Sequence, residues 1–312
     1  MTTPHQPHCG YIAFVGLPNA GKSTLLNACL GTKIAGVSKR PQTTRNKILG
    51  VETRGAAQLI FVDTPGIQAN PRKSFLSKAM EEQVWASVNE ADVVCYLIDV
   101  TRGWTAADGV QLLKIHQMTK RPLLVLVSKA DSVKKHVLAA QSKTIAAAMA
   151  TMAEKSPGKA CFLEAVPYEF SSKRPESLEA LKSKLAALLP PGPWLFAEDA
   201  ITDASEGFIL SELIREQLFR KLADEIPFGC GVSIDKVSEG ATLKIQATIV
   251  VDNPSHKKIV IGKGGDAIKV IGTLARHSIE QYFDGRKVFL ELFVRVEKGW
   301  TEQQLLVEQL QK

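Results

Sequence analysis

No apolar run in the sequence approaches the roughly 20 residues that a membrane-spanning helix needs; the longest, Val93 to Ile98 and Pro122 to Val127, fall far short. The opening segment MTTPHQPHCG has no Lys or Arg and no apolar stretch, so it lacks the parts of a secretory signal, and a cytoplasmic location is expected. Cysteine is sparse and unpatterned. Cys9, Cys29, Cys95, Cys161 and Cys230 are odd in number and never spaced C-x-x-C, which opposes a disulfide or zinc framework and fits reduced thiols. His5, His8 and Cys9 have no further ligand nearby, and a frayed terminus is the expected reading. Internal repeats and low-complexity tracts are also missing. What remains is the composition of ordinary folded domains, 45% hydrophobic and 23% charged over 312 residues. At about 150 residues per domain, that length suggests two domains.

The net charge of +7 hints at a polyanionic partner, but its distribution is uneven. Residues 1–190 hold 24 Lys/Arg against 14 Asp/Glu, and residues 191–312 hold 15 against 18. Any nucleic-acid contact in the second half must therefore be local.

Apolar runs at 11–15, 59–62, 93–99, 123–127 and 161–166 alternate with helical patterns at 22–30, 72–89, 106–120, 134–153 and 176–189. Strand then helix, repeated, predicts an α/β fold with a doubly wound, mostly parallel sheet. Pro190, Pro191, Gly192 and Pro193 then break the pattern, which places a domain over 1–190, a linker over 191–204 and a second domain over 205–312. In the second, Leu210, Leu213, Ile214, Leu218 and Leu222 share a helical face. Leu243, Ile245, Ala247, Ile249 and Val251 alternate with polar residues as a half-buried strand does, and so do Val288, Leu290, Leu292, Val294 and Val296. With a strand near 232–237 and helices at 256–261 and 266–282, the order is helix, strand, strand, helix, helix, strand.

Gly16-Leu17-Pro18-Asn19-Ala20-Gly21-Lys22-Ser23 satisfies G-x-x-x-x-G-K-[ST] between a predicted strand and a predicted helix, the context a phosphate-binding loop requires. Its backbone N–H groups can wrap phosphate oxygens, Lys22 can neutralise the outer phosphates, Ser23 can ligate Mg²⁺, and Thr24 continues the helix N-terminus. Asp63-Thr64-Pro65-Gly66 follows the run LIFV, so Asp63 ends a strand where a carboxylate can hold the Mg²⁺ shell, and Gly66 can offer its N–H to a terminal phosphate. Between these motifs, Lys33, Lys39, Arg40, Arg45 and Lys47 form a basic loop without an acidic residue. It carries Thr43 and Thr44, and the Thr44 hydroxyl can complete the Mg²⁺ shell only while a third phosphate is present. At Ser128-Lys129-Ala130-Asp131 a lysine stem can cover a base, while the Asp131 carboxylate accepts two N–H bonds, which guanine offers and adenine does not. Phe170-Ser171-Ser172-Lys173 can line the base pocket from the other side.

These five motifs in this order resemble those of GTP-binding proteins, and P-N-x-G-K-S with P-Q-T-T-R is similar to the TrmE–Era branch. Two positions depart from that pattern: Ser128 stands where the family has Asn, and Ser172 where it has Ala. Loss of the Asn amide is expected to remove a base contact and a tie back to the phosphate loop. Ile67 stands where Ras-like proteins carry the glutamine that orients water, so hydrolysis is expected to be slow. Asn19 matches the loop Asn that holds K⁺ in TrmE-like relatives, which implies a K⁺ dependence.

Gly262-Lys263-Gly264-Gly265 places G-x-x-G between two predicted helices, resembling the loop of a type II KH domain. Charge agrees locally: Lys257, Lys258, Lys263, Lys269 and Arg276 face only Asp266 over His256 to Arg276. From about Tyr11 to Trp300 the chain resembles the Era family. That resemblance implies GTP hydrolysis, GTP/GDP and Mg²⁺ as ligands, and small-subunit ribosomal RNA and the small ribosomal subunit as partners rather than DNA. It also implies a monomer, with peripheral contact at the inner membrane left open. Two rivals are a KH adaptor with little turnover and a TrmE-like tRNA-modification GTPase, which would end in a cysteine signature that this chain lacks.

Overall fold

The computed structural model describes residues 6–41, 43–67, 74–155 and 162–310. Contacts divide them into two compact units.

The first unit holds a six-stranded sheet of β1 (His8–Gly16), β2 (Ile48–Arg54), β3 (Ala57–Asp63), β4 (Val93–Asp99), β5 (Leu123–Ser128) and β6 (Tyr168–Glu169), in the order β2-β3-β1-β4-β5-β6. All neighbours are parallel except β2 with β3. Helices α1 (Lys22–Leu30), α2 (Phe75–Glu90, of which residues 81–90 belong to this unit and 75–80 to the second), α3 (Ala106–Met118), α4 (Lys135–Lys155) and α5 (Pro175–Ala186) alternate with the strands. Every residue of β4 and β5 is buried, the reason their sequences read as unbroken apolar runs. With β3 on one side of β1 and β4 on the other, the strand order reverses at β1, so the crevice for a ligand opens where the phosphate loop begins.

Two strands differ from expectation. Strand β2 escaped the apolar pattern because Glu52, Thr53 and Arg54 interrupt it; it is set by antiparallel pairing through the turn at Gly55, whose φ is +58°. For the strand expected at 161–166, Cys161 lies outside the described residues and Phe162 forms an isolated bridge to Leu123 in place of a strand. The sixth strand is the two-residue β6 instead, and Val166 is exposed. The start expected for α2, at Arg72, also lies outside the described residues.

The second unit has a three-stranded sheet, β7 (Cys230–Ser238), β8 (Leu243–Val251) and β9 (Val288–Val296), ordered β7-β8-β9. β7 and β8 run antiparallel, β8 and β9 parallel. Helices α6 (Glu206–Lys221), α7 (Pro254–Ile261) and α8 (Asp266–Tyr282) complete the expected order. A further helix, α9 (Gln304–Leu310), puts Val307 into a cluster with Leu76, Met80, Val250 and Trp300. The alternating residues of β8, Leu243 through Val251, are all buried.

This unit also contains Thr32–Arg45. Arg45 is buried and donates to the carbonyls of Cys230 (2.8 Å), Pro227 (3.0 Å) and Phe228 (2.9 Å), over the rings of Phe219 and Trp300. Burial first, and then the neighbouring Arg215, pull its pKa down to about 9. Lys33 pairs with the fully buried Glu216, and the Arg220 guanidinium donates to Val37 O at 3.3 Å.

Candidate nucleotide site and glycine loop

The loop after β1 is shaped by residues that tolerate left-handed backbone. Gly16 has φ +147°, Asn19 +64° and Gly21 +97°. A Cβ on Gly16 would stand 2.5 Å from Leu97 O, so only glycine lets the strand end lie against β4. α1 then starts at Lys22, aiming its first N–H groups into the loop.

Lys22 is buried, and its Nζ donates to the carbonyls of Gly16 (3.2 Å) and Leu17 (3.1 Å). Burial pulls its pKa down to about 8, opposed by the Asp63 carboxylate and aided by Arg102. A cation kept at that cost is ready for an anion. Ser23 Oγ donates to Asp63 Oδ2 at 2.6 Å, so the two oxygens expected to serve Mg²⁺ are already neighbours. Thr24 occupies the first turn of α1 beside them. A Cβ on Gly66 would meet Pro18 Cα at 2.8 Å, which holds the second motif against the phosphate loop. Ile67 is buried in the core and its N–H donates to Gly16 O at 3.0 Å, so this side chain is spent on packing.

On the base side, Asp131 Oδ1 accepts the Ser171 hydroxyl at 2.6 Å, and Lys173 Nζ lies 3.5 Å from Oδ2. The Ser171 bond, more than the Lys173 charge, holds Asp131 below the ordinary carboxylate range. Lys173 N–H also donates to Ser171 Oγ, and Ser172 sits half-buried between them. Lys129 has φ +61° and donates to Asn19 O at 3.1 Å.

Ser128 corrects an expectation. Its buried hydroxyl donates to Ala20 O at 2.7 Å, so the tie to the phosphate loop that the missing Asn was expected to remove is made by the serine. The strand end lies close enough for a hydroxyl to reach. Asp99, at the end of β4 and outside every motif, binds Lys129 Nζ at 2.5 Å; only the sheet register, which pairs it with Ser128, could have signalled it. Thr44 is buried and groups with the second unit rather than with Ser23 and Asp63.

In the second unit, Asn253 caps α7 by accepting the His256 N–H, and α7 ends at Gly262 with φ +77°. Gly264 (+64°) and Gly265 (+87°) turn the chain into α8, with Lys263 exposed at the tip. Lys258 and Lys269 are exposed and Lys257 half-buried; none of the four lysines enters an ion pair among the described residues. Arg276, by contrast, is held by Glu280 at 2.8 Å. Ile259 and Val270, 47% and 46% exposed, flank the loop with apolar surface.

Residues 11–129 match the family described as 50S ribosome-binding GTPase, and residues 225–301 match the KH domain family. The chain is 37% identical to GTPase Era of Vibrio parahaemolyticus over 99% of this chain and 93% of that one. It is 40% identical to GTPase Era of Pseudomonas syringae pv. syringae over 97% and 96%. Among solved structures, Era in complex with MgGDPNP and nucleotides 1506–1542 of 16S ribosomal RNA matches with a TM-score of 0.86 at 34% identity, covering 97% of this chain and 98% of that one. A single-residue variant of Aquifex aeolicus Era bound to GDP and AlF4⁻ matches with a TM-score of 0.85 at 35% identity, over the same shares.

Proposed function

The chain belongs to the Era family of GTPases, and from that premise we propose that it is a GTP-driven switch that grips 16S ribosomal RNA with its glycine loop during assembly of the small ribosomal subunit. The observation that carries the nucleotide half is Lys22, a buried cation beside the bonded pair Ser23 and Asp63. The RNA half rests on Lys257, Lys258, Lys263 and Lys269 around Gly262, Gly264 and Gly265, with Ile259 and Val270 offering apolar surface to bases.

The geometry supports the following roles in this reading. Asp131, kept ionised by Ser171, accepts the N1–H and N2–H of guanine. Lys129 covers the base with its stem, while the loop amides and Lys22 hold the phosphates. Ser23 and Asp63 are hard oxygen donors and fit Mg²⁺, which when bound neutralises charge on the phosphate oxygens. Thr44, which groups with the second unit here, would add a third oxygen in the triphosphate state. Ile67 is buried and apolar and cannot orient water, so in this reading Asn19 would help to hold a K⁺ ion, which would supply charge stabilisation at the phosphates. No described helix is long and apolar enough to cross a membrane. In this reading the protein acts as a cytoplasmic monomer, with peripheral contact at the inner membrane left open.

Steady-state phosphate release with and without a 16S 3′-end RNA tests the reading. We expect slow turnover that is faster in K⁺ than in Na⁺ and loses this preference in Asn19→Ala. Lys22→Ala should lower GDP affinity at least about 100-fold. Equal binding of ATP and GTP by the wild type would overturn it.

A further inference from the structure

Two adjacent strand ends grip two consecutive carbonyls of the phosphate loop. Asp99 closes β4 and stands opposite Ser128 in the register with β5. Its Oδ1 accepts the N–H of Thr101 at 2.9 Å and the Thr101 hydroxyl at 2.6 Å; its Oδ2 accepts Lys129 Nζ at 2.5 Å. The same Nζ donates onward to Asn19 O at 3.1 Å. One residue earlier, the single hydroxyl proton of Ser128 goes to Ala20 O at 2.7 Å, with Ile98 O more distant at 3.2 Å.

Asn19 O and Ala20 O are thus both anchored on one side. In a planar trans peptide the carbonyl and the following N–H point opposite ways. Anchoring Ala20 O therefore turns the Gly21 N–H to the other side, where α1 begins and an anion would sit. Asn19 and Lys129 both hold positive φ, +64° and +61°, a conformation uncommon outside glycine, and the bond between them joins these two strained points.

We propose that Asp99 is a positioning residue of the nucleotide site: by holding Lys129 Nζ it presets the lysine stem that covers the base and the peptide planes that meet the phosphates. The assignment rests on the nucleotide reading above. Asp99 is well placed for the task, its side chain being 10% exposed and both oxygens used. Burial alone would raise its pKa, yet the bonds from Lys129 and Thr101 leave it below the ordinary range, so the carboxylate stays charged.

The test separates positioning from local turn structure. Asp99→Asn keeps an oxygen for Thr101 and removes the charged partner of Lys129, whereas Thr101→Ala loosens the turn and spares Lys129. Fluorescent GDP titrations, with competition by IDP, and melting curves of the nucleotide-free proteins are compared. Expected is about a tenfold loss of affinity in Asp99→Asn, equal for GDP and IDP because Asp131 alone reads the exocyclic amine, with no matching loss in Thr101→Ala and an unchanged melting temperature. Affinity within twofold of wild type in Asp99→Asn would overturn the proposal, as would equal losses in both variants. Failure of the wild type to bind GDP would instead overturn the nucleotide reading.

Discussion

In the phosphate loop, Gly16 and Gly66 are hemmed in by distant chain: an added Cβ would stand 2.5 Å from Leu97 O in one case and 2.8 Å from Pro18 Cα in the other. In the second unit, Gly264 and Gly265 also precede a helix with positive φ, yet a Cβ on either would meet nothing within 4 Å. The first pair lets strands and loops approach; the second leaves room for a ligand and supplies backbone conformation. Cross-bonds repeat the contrast. Lys22, Ser23, Ser128, Lys129 and Asp131 are each bonded into the surrounding protein, whereas Lys258, Lys263 and Lys269 around Gly262 are exposed. A site assembled before its ligand arrives loses little entropy on binding, and an open one loses more but adapts to more shapes.

The sharpest test of this contrast is stability. Gly16→Ala forces a side chain onto a backbone carbonyl and should cost about 3 kcal/mol or more by denaturant unfolding, against about 1 kcal/mol for Gly264→Ala, where only left-handed strain is added. Equal costs would break the comparison. Within the second loop, Gly262 is the exception, since its Cβ would meet Ala267 N at 2.7 Å; Gly262→Ala should fall between the two.

Next in size is the functional split. Lys263→Asp combined with Gly264→Asp reverses charge at the exposed tip and should weaken binding of a 16S fragment at least about 30-fold while GDP affinity stays unchanged. Unchanged RNA affinity would remove the glycine loop from the interface.

The smallest effect concerns pH. Because Asp131 is depressed by Ser171, its charged form persists below the ordinary range, and guanine preference over hypoxanthine should hold from pH 7 down through pH 5. It is lost only as pH falls through the depressed pKa. Ser171→Ala should move that loss to higher pH, measurable as the ratio of GDP to IDP affinity.

The phosphate loop, Asp63, Asp131 and the glycine loop were legible in the sequence because each depends on neighbours in the chain. Strand periodicity likewise revealed β4, β5, β8 and β9, whose burial is uniform or alternating. Asp99 was not legible, since its partner is thirty residues away and only the β4–β5 register joins them. Nor was the bond from Ser128 to Ala20, which depends on a strand end lying within a hydroxyl's reach of the loop. The short β2 and β6 are held by their neighbours rather than by their own patterns, and α9 has too few turns to show a period.

The place of Thr32–Arg45 bears on how the protein can be cut. Although this segment precedes Asp63 in the chain, it supplies Arg45 to the carbonyls of Pro227, Phe228 and Cys230, and Lys33 to Glu216. A fragment beginning at Ala204 would keep α6 through α9 but expose a buried carboxylate, three carbonyls and the faces of Phe219 and Trp300 that the guanidinium covers. Such a fragment should fold poorly on its own, and supplying residues 32–45 as a separate peptide should restore part of its stability. Translation order has the same implication: the earliest piece of the second unit is synthesised before most of the first and must wait, undocked, until α6 and β7 emerge.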